Sequence, residues 1–242
     1  GVTNNSNWKM RSLGNATTVD FIGGGTLTGD GILTGENNSS QNRIITGAGN
    51  TIINDVNHAI QGTYTLLNNN GFFTNNGSLQ SNGTASVVID PGTGGTGFTN
   101  NGSMLAVGSG GFALQGGTYN FNSSPVVLAG SKINLNTASG EIILNGSAQV
   151  GGGANINALG SNNNVVLNSF FLFGAGNFNQ NNNQSVEING NILTTSGATW
   201  NMNSLGNFTD IIFNDGGVLA GTGSIVASNS TSNRIRTTTD TS

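Results

Sequence analysis

The stretch Phe73-Thr-Asn-Asn-Gly-Ser78 returns unchanged as Phe98-Thr-Asn-Asn-Gly-Ser103, twenty-five residues on, and each copy runs into a large apolar residue, Leu79 or Met104. In both, Asn-Gly places residues that tolerate φ > 0 beside a short strand candidate. One such unit in isolation is a hairpin signal. The same dipeptide recurs at Asn70-Gly71, Asn82-Gly83, Asn145-Gly146 and Asn189-Gly190, and that number favours a coil turning repeatedly in one sense. Apolar clusters repeat at a similar interval: Ile142 with Val165, and Ile188 with Ile211, each pair 23 residues apart. A rung of about 20 to 25 residues accommodates three short strands and three turns of a parallel β-solenoid. The expected fold is therefore all-β, a single-stranded parallel β-helix of about ten rungs. At a strand separation of ~4.8 Å this makes a rod on the order of 50 Å long.

Local patterns agree. Alternation with a period of two marks Lys132-Ile-Asn-Leu-Asn136, Ser185-Val-Glu-Ile-Asn189 and Tyr119-Asn-Phe-Asn122, as strands with one buried face require. No window of a dozen residues keeps helical spacing without Gly or paired Asn interrupting it. Stacked Asn at turns can bond to one another along the axis as amide ladders. Asn76 and Asn101, which fall at the same place in the two hexapeptides, are taken as stacking positions.

A longer repeat frames the whole chain. Trp8-Lys-Met10-Arg-Ser12-Leu13-Gly14-Asn15 matches Trp200-Asn-Met202-Asn-Ser204-Leu205-Gly206-Asn207. The match continues through Phe21/Phe213, Gly31/Gly223 and, after one deletion, Arg43-Ile44/Arg234-Ile235. Blocks 8–46 and 200–237 are thus read as equivalent, with 47–199 as intervening rungs of one continuous solenoid over 1–242. Trp8, Met10, Leu13, Asn15 and their counterparts Trp200, Met202, Leu205 and Asn207 are packing and turn residues, expected to form rungs that stack.

Composition narrows the function. Gly contributes 40 residues, hydrophobic types 34% and charged types only 7%, so the chain buries a core but cannot rely on ions for solvation. Residues 91–131 carry no charge, leaving Asn, Ser and Thr to solvate that surface. The net charge is −4 and the basic residues are scattered, which argues against nucleic acid, whose binding needs a Lys/Arg footprint. Without cysteine there are neither disulfides nor thiolate metal sites. No run of eighteen apolar residues marks a membrane span, and Gly1-Val-Thr-Asn-Asn is not a signal peptide. The chain reads as trimmed, or as a segment of something larger.

A search for chemistry finds little. The one histidine, His58, lies three residues after Asp55, but no nucleophile or further polar group completes a site, and it is read as a surface or turn residue. Solenoid-fold polysaccharide enzymes assemble several acids with Arg or Lys on one face. Here the acids are dispersed: Asp20, Asp30, Glu36, Asp55, Asp90, Glu141, Glu187, Asp210, Asp215 and Asp240. The bases are Lys9, Arg11, Arg43, Lys132, Arg234 and Arg236, most of them near an end, where the arginines can act as edge gatekeepers. Asp30 lies in a Gly/Asp stretch like a calcium-binding nonapeptide, yet its counterpart is Thr222, so no metal is expected. No phosphate loop follows any Gly run. No cofactor and no catalytic residue are assigned, and the chain is read as non-enzymatic.

Two passages carry a resemblance. Gly216-Gly-Val-Leu-Ala-Gly-Thr-Gly-Ser-Ile225, with its partner Gly24-Gly-Thr-Leu-Thr-Gly-Asp-Gly-Ile-Leu33, resembles the strand repeats of autotransporter passenger domains and related bacterial surface β-solenoid proteins. Ile45-Thr-Gly-Ala-Gly-Asn-Thr-Ile-Ile-Asn54 is similar to the same class. The resemblance implies an exported right-handed parallel β-helix at the bacterial cell surface, serving as adhesin, stalk or fibre, and it carries over no catalytic residue. The expected partners are other copies of the chain or neighbouring repeats, stacked end to end through uncapped sheet edges. Cell-surface glycans are a second expected partner, and a carbohydrate-binding or carbohydrate-cleaving β-helix of tailspike or lyase type is the alternative reading. Acids clustering with aromatics on one lateral face would favour that alternative.

Overall fold

A computed structural model describes residues 1–92, 97–160, 164–194 and 197–238, with the side chains of all of these except Leu193 and Asp215. It consists almost wholly of parallel strands, in a 17-stranded and a 10-stranded sheet, with one 3-10 turn at Thr137–Ser139. The chain winds as a β-solenoid of about nine turns. Each early rung has three faces, as in Phe72–Asn75, then Ser78–Ser81, then Val87–Ile89. The first two faces together make the larger sheet, and the third makes the smaller.

The quoted hexapeptides lie directly on one another. Phe73 pairs with Phe98, Asn75 with Asn100, Ser78 with Ser103 and Leu79 with Met104. Ile142 pairs with Val165 as their spacing predicts. Ile188 does not meet Ile211: it pairs with Phe213, and Ile211 with Val186. Rungs differ in length because corners absorb the difference. Ile60 sits 19 residues before its partner Leu79 and 27 after its partner Leu33.

Alternation then does the packing. The inward column Ile52, Phe73, Phe98, Tyr119, Leu144, Leu167 and Ile188 runs down the first face. Its rings lie 5.9 Å (Phe73 to Phe98) and 6.0 Å (Phe98 to Tyr119) apart. Each side chain buried this way contributes about 1.5–3 kcal/mol of transfer free energy. Past Gly117–Phe121 the first two faces merge into long strands, Ile142–Val150, Asn164–Phe173, Ser185–Thr194 and Thr209–Gly221. Three of them bend at an Asn-led bulge where the register shifts, after Asn145, Asn168 and Asn189.

Candidate assembly surface

The two copies of the long repeat fold alike but occupy different faces. In the first, Asn7–Met10 lies on the second face and pairs Trp8 with Leu33. In the second, Thr199–Met202 lies on the third face and pairs Trp200 with Ile225. The following strands, Thr17–Phe21 and Thr209–Gly221, are displaced by one face in the same sense. The block is therefore a corner with its two flanking strands, transferable to any side of the coil.

That corner is Ser-Leu-Gly-Asn, built from local chemistry. Ser12 Oγ donates to the Asn15 carbonyl at 2.6 Å, and Ser204 Oγ to the Asn207 carbonyl at 2.7 Å. The Ser12 amide donates to Asn42 Oδ1 of the next rung, and the Ser204 amide to Asn233 Oδ1. Gly14 and Gly206 turn the chain at φ of 122° and 119°, a conformation other residues rarely adopt. Leu13 and Leu205 correct the expectation that they pack: both are 88% exposed, because the turn aims its second residue outward. Met10 and Met202 are buried, as packing residues should be.

The tryptophans differ. Trp200 is 4% exposed, its ring 4.7 Å from Phe178 of the preceding rung and its Nε1–H donating to Gln180 Oε1 at 3.1 Å. Trp8, before the same kind of corner and paired above with Leu33, is 38% exposed, with no described rung beneath it. At the opposite end Val218, Ile225, Val226 and Ile235 are exposed, and a cavity of about 170 Å³ opens between Trp200, Leu219 and Ile225.

Among the described residues, Asn side chains link three or more successive rungs in four columns. Asn101 Nδ2 donates to Asn76 Oδ1 at 2.9 Å, and Asn122 Nδ2 to Asn101 Oδ1 at 2.8 Å. A first-face column runs from Asn120 through Asn145 and Asn168 to Asn189, and a third-face column from Asn134 through Asn157 and Asn179 to Asn201. In these outer columns the later rung donates to the earlier. The fourth column is internal and runs the other way, Asn54 donating to Asn75 and Asn75 to Asn100. It ends on His58. Of the expectation of a surface or turn histidine, the surface half is wrong: His58 closes the turn from Asp55 but is 1% exposed, its Nδ1 2.7 Å from Asn54 Oδ1 and its Nε2 3.1 Å from Asn4 Nδ2. Burial holds its pKa below the ordinary imidazole value.

Charges gather near the two ends. Glu36 receives Lys9 at 2.6 Å and Arg11 at 2.5 Å, and their hydrogen bonds hold its carboxyl below the usual range. Arg234 grips Asp210 through two 2.7 Å bonds while lying 3.5 Å over the Phe208 ring, and Arg236 adds a third bond at 3.2 Å. Burial works to raise the Asp210 carboxyl, but the two arginines outweigh it and hold the pKa low. Glu187, on the same face one rung earlier, accepts from Asn164 and Asn214. On this lateral face only Asp210 thus meets the arginines, with the Phe208 ring under Arg234, while Glu187 meets asparagines, and each carboxylate is already engaged. Asp240 lies outside the described residues. Among those described, no group of three His, Cys, Asp or Glu could hold a metal, and no helix is long and apolar enough to cross a membrane.

The sequence gives no warning of one lateral feature. On the second face the rings of Phe171 and Phe173 lie 6.2 Å apart and 12° from parallel, with Phe173 exposed. The run Phe170-Phe-Leu-Phe173 reads as core, but strand alternation sends every second member outward, and the register shift after Asn168 accompanies the choice of Phe171 and Phe173. No protein-family model, curated protein or solved structure matches the chain.

Proposed function

We propose that this chain is a non-enzymatic structural rod of an extracellular fibre, filament or adhesin stalk at a bacterial surface, lengthened by head-to-tail stacking of its coil. The carrying observation is the reuse of one corner: Ser12–Asn15 and Ser204–Asn207 fold alike and each bonds the next rung through an asparagine, Asn42 or Asn233. Trp200, with described rungs on both sides, is buried, and Trp8, with a described rung on one side, is part-exposed. Each end of the described coil presents unpaired strand edges flanked by apolar side chains, the arrangement that templates another strand. Trp8 of one copy meeting the cavity beside Trp200 and Ile225 of another would bury both. Negative-stain microscopy across a concentration series tests this. Rods many times the ~50 Å of one coil are expected, shortened by Trp8→Asp. Monodisperse short rods at every concentration would overturn the reading.

Phe171 and Phe173 favour a second reading, in which the lateral face binds a glycan. Their near-parallel rings, beside Gln149 and Ser147 in the adjoining rung, offer an apolar platform flanked by an amide and a hydroxyl. A glycan array with wild type and Phe173→Ser decides it, binding that depends on Phe173 being the supporting result.

A further inference from the structure

His58 reaches across an entire rung. Asn4, its partner, lies 54 residues earlier, at the corresponding corner two turns below. The rung between contributes Gly29-Asp30-Gly31 at that corner, and a side chain at either glycine would strike the Asn4 carbonyl. Asn4 is the anchor of the first rung. Its amide donates to Thr28, its carbonyl accepts from Gly31, and its side chain is wholly buried. The strand before it, Val2–Thr3, is only two residues long and pairs with Leu27 and Thr28, whereas Asn7–Met10 after it is held independently by its four-residue pairing with Ile32–Gly35 and by Glu36.

The proton inventory at this corner has one solution. Asn4 Oδ1 accepts the Ser6 amide at 3.1 Å, which points Asn4 Nδ2, a donor, at His58 Nε2. Asn54 is fixed in the same manner: its Nδ2 donates to Asn75, so its Oδ1 must accept from His58 Nδ1. The imidazole is therefore the neutral tautomer with its hydrogen on Nδ1. A proton on Nε2 would set N–H against N–H₂, and turning the Asn4 amide would abandon Ser6. The ionisable groups at this corner are Asp55, whose carbonyl accepts the His58 amide, and exposed Asp30. The strands packed above, Phe72–Asn75 and Ser78–Ser81, carry none.

We propose that His58 is an acid-sensitive latch. As a neutral ring it ties Asn4, and with it Val2–Thr3, to the third rung, and protonation releases that segment and uncovers the edge Gly25–Thr28. A histidine whose folded pKa is depressed gives stability that is complete above the unfolded value, about 6.5, and is lost as pH falls below it. The opening equilibrium then rises by up to about tenfold per pH unit below 6.5.

His58 is the only histidine, so its ring signals in NMR need no assignment by mutation. They should titrate below 6.5, while hydrogen exchange of residues 2–4, corrected for intrinsic rate, accelerates over the same pH range. Exchange in 97–160 should not change. The Asn4→Asp variant supplies an acceptor to Nε2 and should reverse the dependence, making residues 2–4 better protected at pH 5.5 than at pH 8. Ordinary titration near 6.5 with unaltered exchange, or the same pH dependence in Asn4→Asp as in wild type, would overturn the latch.

Discussion

Replacing Asn75 and Asn76 by alanine, one at a time, separates what an asparagine does inside the coil from what it does outside. Asn75 is fully buried. Its Nδ2 donates to Asn100 Oδ1 at 2.7 Å and to the Ser103 carbonyl at 3.0 Å, and its Oδ1 accepts from Asn54 at 2.8 Å. In Asn75→Ala, Asn54 Nδ2 keeps the His58 carbonyl at 3.2 Å, and the part-buried Ser103 carbonyl can turn to water, but Asn100 Oδ1 loses its donor in a dry interior. At about 1–3 kcal/mol for a stranded buried group, the loss is about 1–3 kcal/mol. Asn76 makes one ladder bond, from Asn101, which lies on the exposed surface where water replaces it. Asn76→Ala should cost no more than about 0.5–1 kcal/mol. Guanidinium unfolding followed by circular dichroism measures both, with the slope checked for constancy because solenoids can unfold in sections. Equal losses in the two variants, or less than about 1 kcal/mol for Asn75→Ala, would refute the assignment of the inner ladder as structural.

Trp200→Ala should cost about 3–5 kcal/mol by emptying the space over Phe178, whereas Trp8→Ala, already part-exposed, should leave the melting of the unassembled coil within about 1 kcal/mol of wild type. Asp210 has a depressed carboxyl, so its contribution is present above the unfolded value of about 3.9 and lost as pH falls through the lower folded one. Acid titration should therefore loosen the last described rung in wild type, and Asp210→Asn should abolish that step, as exchange of Asn233–Thr237 will report. Gly111 has φ +62° and its added Cβ would lie 1.9 Å from the Lys132 carbonyl, so Gly111→Ala should lower the thermal midpoint by more than 10 °C, about 3 kcal/mol or more. Gly152 meets nothing within 4 Å, and Gly152→Ala should change the midpoint by no more than about 2–4 °C.

The rung was legible because the two hexapeptides share one corner length, so Phe73 meets Phe98 by counting alone. Where corners differ, counting fails: Ile188 misses Ile211 by two residues because the rung between contains a longer corner at Asn203–Asn207. Face assignment was illegible for the same reason. Nothing in residues 8–46 and 200–237 says that the corner has moved on by one side, since that depends on every corner in between. Leu13 and Leu205 look like core by type, yet their exposure is decided by the Gly that follows and the backbone it permits. The burial of His58 was missed because its partners, Asn4 and Asn54, are not acids or nucleophiles, and only three-dimensional stacking brings an amide from two turns away to its ring.

The displacement of the long repeat by one face has a geometric consequence for any fibre built with this period. Trp8 and Trp200 stand 192 residues apart, a whole number of turns plus one side. Iterated, such a period is a slow screw superimposed on the coil, and a given corner would point the same way only in every third unit. The protruding leucine of Ser-Leu-Gly-Asn would then appear in succession on each edge of the fibre, making a chain with three unlike sides equally approachable from every direction.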